Sequence, residues 1–381
     1  MKTNGNIIKI IVLLLFAYSC EEKFMPDVSA YQNLLVVEGK LINHDKPQII
    51  KLSYSSSLNN AGYIPCTGCN VYVSASNGEI KSYAETGPGI YQTDSTVWVP
   101  QINVEYTLNI ITSDGEEYRS EPQKIRQPAG IDSVYAEIEY QEDSDLYYGL
   151  VGYRFFVSTA EANTDTACFM WELTETWEFT SDFTLDYFYQ GQIIPSGSFD
   201  SVYRCWKTNK IPELFVYSTE GLTQPLVHDF PLHYVTTETR RLMIRYSLLV
   251  DKYVISEDAH AYWNKITEQL NNQTSLFFSQ PYSIQGNIRN INDDDERVLG
   301  YFYGAGKSSK RIFVDRPYGE LFYYEECIPI TDLRGLGLSS PADWPIYITL
   351  MPDGNLAYAG NVCFDCTLRG GQLDKPDFWI P

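Results

Sequence analysis

The chain is poor in histidine, methionine and basic residues. Only 4 His and 5 Met occur among its 381 residues. The histidines (His44, His228, His233, His260) are scattered without metal-ligand spacing, and no H-E-x-x-H is present. No G-x-S-x-G elbow offers a serine nucleophile either. Lys and Arg number 28 against 49 Asp and Glu, a formal net charge of −21. A field of that sign repels phosphate backbones, so nucleic acid is excluded as a partner. It also argues against docking on anionic lipid through a basic patch. The apolar run at residues 10–18 is nine residues long. That is too short to cross about 30 Å of hydrocarbon as a helix.

Much else is plentiful. Hydrophobic residues make up 44% and charged residues 20%, enough apolar material for a real core. The length points to two domains rather than one. Aromatics reach 14%, with 30 Tyr, which suits β-sheet faces better than helical bundles.

The first twenty residues read as an export signal. Lys2 and Lys9 supply positive charge, the apolar run follows, and it ends in Ala17-Tyr18-Ser19-Cys20. A small residue before cysteine, directly after an apolar stretch, resembles a bacterial lipoprotein cleavage site. The expectation is a signal peptide over 1–19, lipidation of Cys20, and a tether over 20–33. Ala17 and Tyr18 depart from the commonest form of that site, and an ordinary cleaved signal is the other reading. Several acyl chains, at about 0.8 kcal/mol per buried CH₂, would hold the domain at a membrane. Glu21 and Glu22 resemble the surface-export signal of Bacteroidota lipoproteins. The expected address is therefore the outer membrane, lipid-anchored, on the cell-surface side; a solvated tether is the plainer account of the two acids.

From residue 34 the text becomes strands. Asn77-Gly78 and Asp114-Gly115 supply the positive φ that tight hairpin turns need. About seven short strands over 34–128 predict an Ig-like or transthyretin-like β-sandwich. Pro122 and Pro128-Ala129-Gly130 then break the pattern. The segment 129–381 predicts a larger β-rich domain. Its clearest strand places Phe169, Trp171, Leu173, Trp177 and Phe179 on one face by alternation. One helix stands out, capped by Ser256, with Glu257 and Asp258 at its positive end. Ala259, Tyr262, Trp263, Ile266 and Leu270 form its apolar stripe, read as core packing.

With Cys20 lipidated, seven cysteines remain as disulfide candidates: Cys66, Cys69, Cys168, Cys205, Cys327, Cys363 and Cys366. The simplest arithmetic is three disulfides and one free thiol, with pairing open. Cys66-x-x-Cys69 and Cys363-x-x-Cys366 are read as local loop staples in preference to a zinc site. Two further motifs fail on inspection. Gly304-Ala305-Gly306-Lys307-Ser308 ends like a phosphate-binding loop, but position 301 is Tyr, so it is read as a turn. The acidic run at 292–296 lacks the glycine of a helical calcium loop and is read as a hairpin tip. Asp-Ser/Thr-aliphatic acceptors for Bacteroidota-type O-glycosylation occur at Ser95, Ser133, Thr166 and Ser201.

Several stretches in order resemble an uncharacterised lipoprotein family of Bacteroidota, domain-of-unknown-function family 4249. They are Leu35-Val36-Val37-Glu38-Gly39, Tyr203-Arg204-Cys205-Trp206, Ser275-Leu276-Phe277 to Gln280-Pro281, Gly286-Asn287-Ile288 and Val298-Leu299-Gly300-Tyr301-Phe302. Cys363 to Arg369 and Lys375-Pro376-Asp377-Phe378-Trp379 complete the set. The resemblance brings no catalytic residues, no metal and no cofactor. It implies an accessory lipoprotein beside a TonB-dependent transporter, with a nutrient-uptake or surface-assembly role. The Tyr and Trp surplus suits a glycan or peptide as ligand, and the missing catalytic motifs point to no enzyme activity. A structural or adhesive surface lipoprotein is the alternative, and an unrecognised hydrolase a further one.

Overall fold

Alternation in the first strand sets the plan of the molecule. In β1 (Leu35–Ile42), Leu35, Val37 and Leu41 are buried in one core. Val36, Glu38 and Lys40 therefore face the other way, as a period of two requires. The structure is a computed structural model describing residues 33–56, 62–94, 98–142, 149–162, 166–197, 202–272, 283–320 and 322–379.

The first core is wrapped by β1, β2 (Ile49–Tyr54), β3 (Ile64–Pro65), β4 (Asn70–Ala75), β5 (Ile80–Gly87), β6 (Ile90–Thr93), β7 (Glu105–Ile111), β8 (Glu117–Ser120) and β9 (Gln123–Lys124). Gly78 (φ 89°) and Gly115 (φ 92°) turn β4 into β5 and β7 into β8. Leu52, Val71, Val73, Tyr91, Tyr106 and Leu108 fill the interior.

The rest of the chain adds β10 (Ile131–Gln141), β11 (Leu150–Thr159), β12 (Cys168–Thr180), β13 (Tyr187–Tyr189), β14 (Ile193–Pro195), β15 (Arg204–Ser218), β16 (Phe230–Thr236) and β17 (Arg245–Ile255). Helix α1 (Glu257–Asn272) follows, then β18 (Ile288–Asn290), β19 (Leu299–Asp315), β20 (Ile346–Leu350) and β21 (Leu356–Tyr358). The chain is mainly β with one prominent helix, as its periodicities imply.

One 14-stranded sheet unites segments from both sides of residue 128. Its main path runs β15-β12-β17-β19-β1-β2-β6-β5-β4-β7-β8-β18. The hinge of this arrangement is β19. Its first half pairs in parallel with β1, from Val36↔Leu299 to Ile42↔Ala305. Its second half pairs antiparallel with β17, from Gly306 to Asp315. Ile288, Val298 and Phe302 accordingly contribute to the first core.

The Gly304–Ser308 stretch, expected as a turn, is the interior of β19. A Cβ on Gly306 would lie 2.3 Å from the Arg126 carbonyl oxygen, and one on Gly304 would lie 3.1 Å from Lys124 backbone. Glycine here lets the connection from β9 to β10 cross the sheet at close range, a need that sequence cannot separate from turn formation.

A second core lies between this sheet and a three-stranded one, β10-β11-β16. Phe155, Val157 and Val235 meet Phe169, Trp171, Leu173 and Leu248 there. The odd residues of β12 share one face as expected, Glu175 among them, but the other face is buried too at Met170, Thr176 and Glu178. The buried Glu175 carboxylate accepts a hydrogen bond from Tyr246 Oη at 2.9 Å and pairs with Arg241 at 3.3 Å. On the opposite face α1 packs against β15, β12 and β19. Ser256 Oγ accepts the Ala259 N–H at 3.2 Å, the expected cap. Ala259 and Tyr262 are buried, but Leu270 is 53% exposed, so the packed stripe ends at Ile266.

A small sheet, β14-β13-β20-β21, forms a C-terminal cap held by two disulfides, Cys205–Cys366 and Cys327–Cys363. Among the described residues, no helix is long and apolar enough to cross a membrane.

Candidate functional site: an aromatic groove with a charged floor

Where β1 and β19 lie side by side under α1, a groove of about 660 Å³ opens. Strand alternation sends Tyr301 and Tyr303 of β19 into it, while Phe302 turns into the first core. The helix supplies Tyr262, Trp263 and Ile266. These rings brace one another: Tyr262 lies 4.7 Å from Tyr301 and 5.1 Å from Trp263, and Trp263 stands edge-on to Tyr303 at 6.1 Å. The indole N–H of Trp263 is buried and donates to nothing among the described residues, which costs about 1–3 kcal/mol.

The floor is ionic. Lys40 Nζ lies 2.6 Å from both oxygens of Glu172 and 4.8 Å above the Tyr253 ring. Tyr253 Oη donates to Glu172 at 3.0 Å. Burial lowers the Lys40 pKa, and Glu172 opposes that shift. Burial and the Glu172 charge raise the Tyr253 hydroxyl well above the usual tyrosine range. Past this pair the groove continues into a second recess of about 470 Å³, sharing Lys40, Ile49, Glu172 and Lys210. Lys46 and Lys307 line that end, and Lys307 is held by Asp251 at 2.8 Å. The site thus joins an aromatic wall to a lysine-rich end in an acidic protein.

Sequence reading missed this assembly. Tyr262 and Trp263 are core packing as the stripe predicts, Tyr262 buried and Trp263 partly buried against the same cluster, and both also line the groove. Lys40 and Glu172 are 132 residues apart, and only the β1–β19–β17–β12 order brings them together. The one available signal was Lys40 on the face of β1 opposite its buried residues.

Cys363 and Cys366 do not staple one another. Each reaches outward, to Cys327 and Cys205, because consecutive 3-10 helices at Asn361–Cys363 and Cys366–Arg369 aim them at different neighbours. Among the described residues the structure holds two disulfides. Asp182, Cys327 and Cys363 sit together, but the two sulfurs are bonded to each other and are spent as metal ligands. Cys168 is buried and free. Cys66 and Cys69 are free with sulfurs 3.2 Å apart. The hydrogen bond with Cys69 lowers the Cys66 thiol to about 7 and raises Cys69. A bond of about 2.05 Å is then a movement of roughly 1 Å away. We expect protein from an oxidising compartment to take one alkyl label when unfolded without reductant, on Cys168. Labels on Cys66 and Cys69 in that experiment would show the pair to remain a dithiol.

Ser133 is half-buried in β10, and Thr166 is exposed beside the start of α1. Cys20, Ser95, Ser201 and the stretch 275–281 lie outside the described residues. The acidic run at 292–296 connects β18 to β19 as a turn, in which Asp295 N–H donates to Asp293 Oδ1 at 3.0 Å. Tyr118 Oη donates to Glu296 at 2.8 Å. His233 sits 3.2 Å from Glu213, its other ring nitrogen 3.5 Å from Arg241.

A family described as "Domain of unknown function (DUF4249)" matches residues 21–311. The chain belongs to DUF4249. Every groove residue lies inside that match, whereas Cys327, Cys363 and Cys366 lie beyond it. Among curated proteins none matches this DUF4249 chain. Among solved structures, the Yersinia pseudotuberculosis adhesin InvE aligns over 85% of this chain and 74% of its own. The identity is 9% and the TM-score 0.16, a likeness too loose to carry any argument.

Proposed function

We propose that this DUF4249 protein is a non-catalytic ligand-binding subunit, lipid-anchored at Cys20 on the outer membrane beside a TonB-dependent β-barrel transporter. The groove carries the reading. Clustered Tyr and Trp rings ending in a lysine-rich recess suit a ligand with a flat or apolar body and a polar or acidic end, as glycans and peptides have. The export pattern at residues 1–20 and the family resemblance supply the address and the partner.

Two measurements test it. Tagged protein purified from its host in mild detergent should carry a stoichiometric barrel, and Cys20→Ala should move to the soluble fraction. On arrays of oligosaccharides and peptides, Trp263→Ala should weaken the bound class about 30-fold, a loss of about 2 kcal/mol. A lone lipoprotein with no barrel, adhering to cells or matrix, would replace the transporter reading with an adhesive one.

A further inference from the structure

The chain's acidity reverses at the seam between the second core and the C-terminal cap. Lys207 of β15, Arg240 and Arg241 of the 3-10 helix Arg240–Leu242, and Arg369 of Cys366–Arg369 converge there on a recess of about 280 Å³. Two carboxylates answer them from the protein side. Asp182 accepts from Arg240 Nη2 at 2.8 Å and from Arg369 Nη2 at 3.2 Å, and Glu175 accepts from Arg241 at 3.3 Å. Both acids are at least nine-tenths buried. Glu325 on the wall is the third acid, so four cations face three carboxylates.

The donors are not exhausted by these partners. Arg240 is nine-tenths buried, yet its Nη1 donates to nothing among the described residues, and Arg369 Nε is in the same condition. Burying a charged donor unpaired is costlier than burying a neutral one, and a guanidinium fork is matched by two oxygens of one anion. The cations are also held in place. Arg240 lies 4.5 Å over the Tyr324 ring, and Lys207 donates to the Arg369 carbonyl at 3.0 Å. Thr239 Oγ1 accepts from Arg241 Nε at 3.1 Å and keeps its own proton to give.

We propose that this recess is an oxyanion site, taking the carboxylate or sulfate group of an acidic ligand through Arg240, Arg369, Lys207 and the Thr239 hydroxyl. It is separate from the groove, and each can exist without the other.

The test is calorimetric titration of the full protein with sodium sulfate and, separately, sodium glucuronate, at ionic strength fixed with chloride. Saturable binding of one anion per chain is expected, and the tighter of the two names the oxyanion. Lys207→Gln should weaken it at least tenfold with unchanged circular dichroism, since among the described residues the Lys207 side chain donates only to the Arg369 carbonyl. Arg369→Gln should abolish it. Lys265→Gln, exposed on α1 and outside both recesses, should leave it unaltered. No saturable heat above the chloride background, or equal affinity in folded Lys207→Gln, overturns the proposal.

Discussion

Lys252→Met should stabilise the protein by roughly 3 kcal/mol at pH 6, and the gain should vanish as pH approaches 10. Lys252 sits in the middle of β17 with no exposed surface. Its ammonium finds one acceptor, the Gly130 carbonyl at 2.7 Å, and lies 4.7 Å over the Phe169 ring. No carboxylate bonds to it among the described residues. Burial alone brings its pKa down to about 7. The sign follows from where protons bind. Between about 7 and the ordinary lysine value near 10.4 the unfolded chain holds a proton that the folded one has lost, so stability rises with pH there. Below 7 both states are charged, and the folded state carries the whole desolvation cost.

Methionine keeps the unbranched shape and removes the charge, at the loss of about 1 kcal/mol for the bond to Gly130. Chemical denaturation of both proteins at pH 6, 8 and 9.5 should show their difference shrinking by up to about 1.4 kcal/mol per unit above 7. A pH-independent difference would mean that the folded amine is solvated and stays charged like that of the unfolded chain, whereas a difference already shrinking at the full slope from pH 6 would mean that it is neutral throughout.

Buried lysine of this kind was invisible in the sequence, and the reason is general. Local patterns report what a residue's near neighbours demand. Asn77-Gly78 and Asp114-Gly115 became hairpin turns, and Ser256 became a cap, because each requirement is met within a few residues. The face of β12 was legible from Phe169 to Leu173 for the same reason. What failed was everything set by a partner far along the chain. Gly304 and Gly306 look like turn glycines, yet they answer to a backbone crossing near residue 126. The parallel pairing of β1 with β19 places Lys40 near Glu172 and creates the groove, and no periodicity in either strand encodes that choice. Cysteine spacing was likewise a poor guide, since the neighbours Cys363 and Cys366 belong to different bridges.

Of those bridges, Cys205–Cys366 should matter most. It joins residues 161 apart, and closing a loop of that size removes about 5 kcal/mol of chain entropy from the unfolded state. The Cys205→Ser/Cys366→Ser variant should lose about that much, a large share of the 5–15 kcal/mol that typical domains possess. Cys327–Cys363 closes a loop of separation 36, worth about 4 kcal/mol by the same reasoning. The two losses should differ in kind as well as size. Cys205 and Cys366 have no exposed surface, and Cys205 lies at the root of the cap, where Trp206 and Gln372 exchange backbone hydrogen bonds at 2.9 and 2.8 Å. Removing that bridge should free the cap before the cores unfold, so trypsin should cut first at Arg369 while the body ahead of the cap stays intact. Denaturant unfolding and timed proteolysis of the two double variants measure this directly. A loss under 1 kcal/mol without early cleavage would mean that packing alone, through Phe179, Cys205 and Gly371, already fastens the cap.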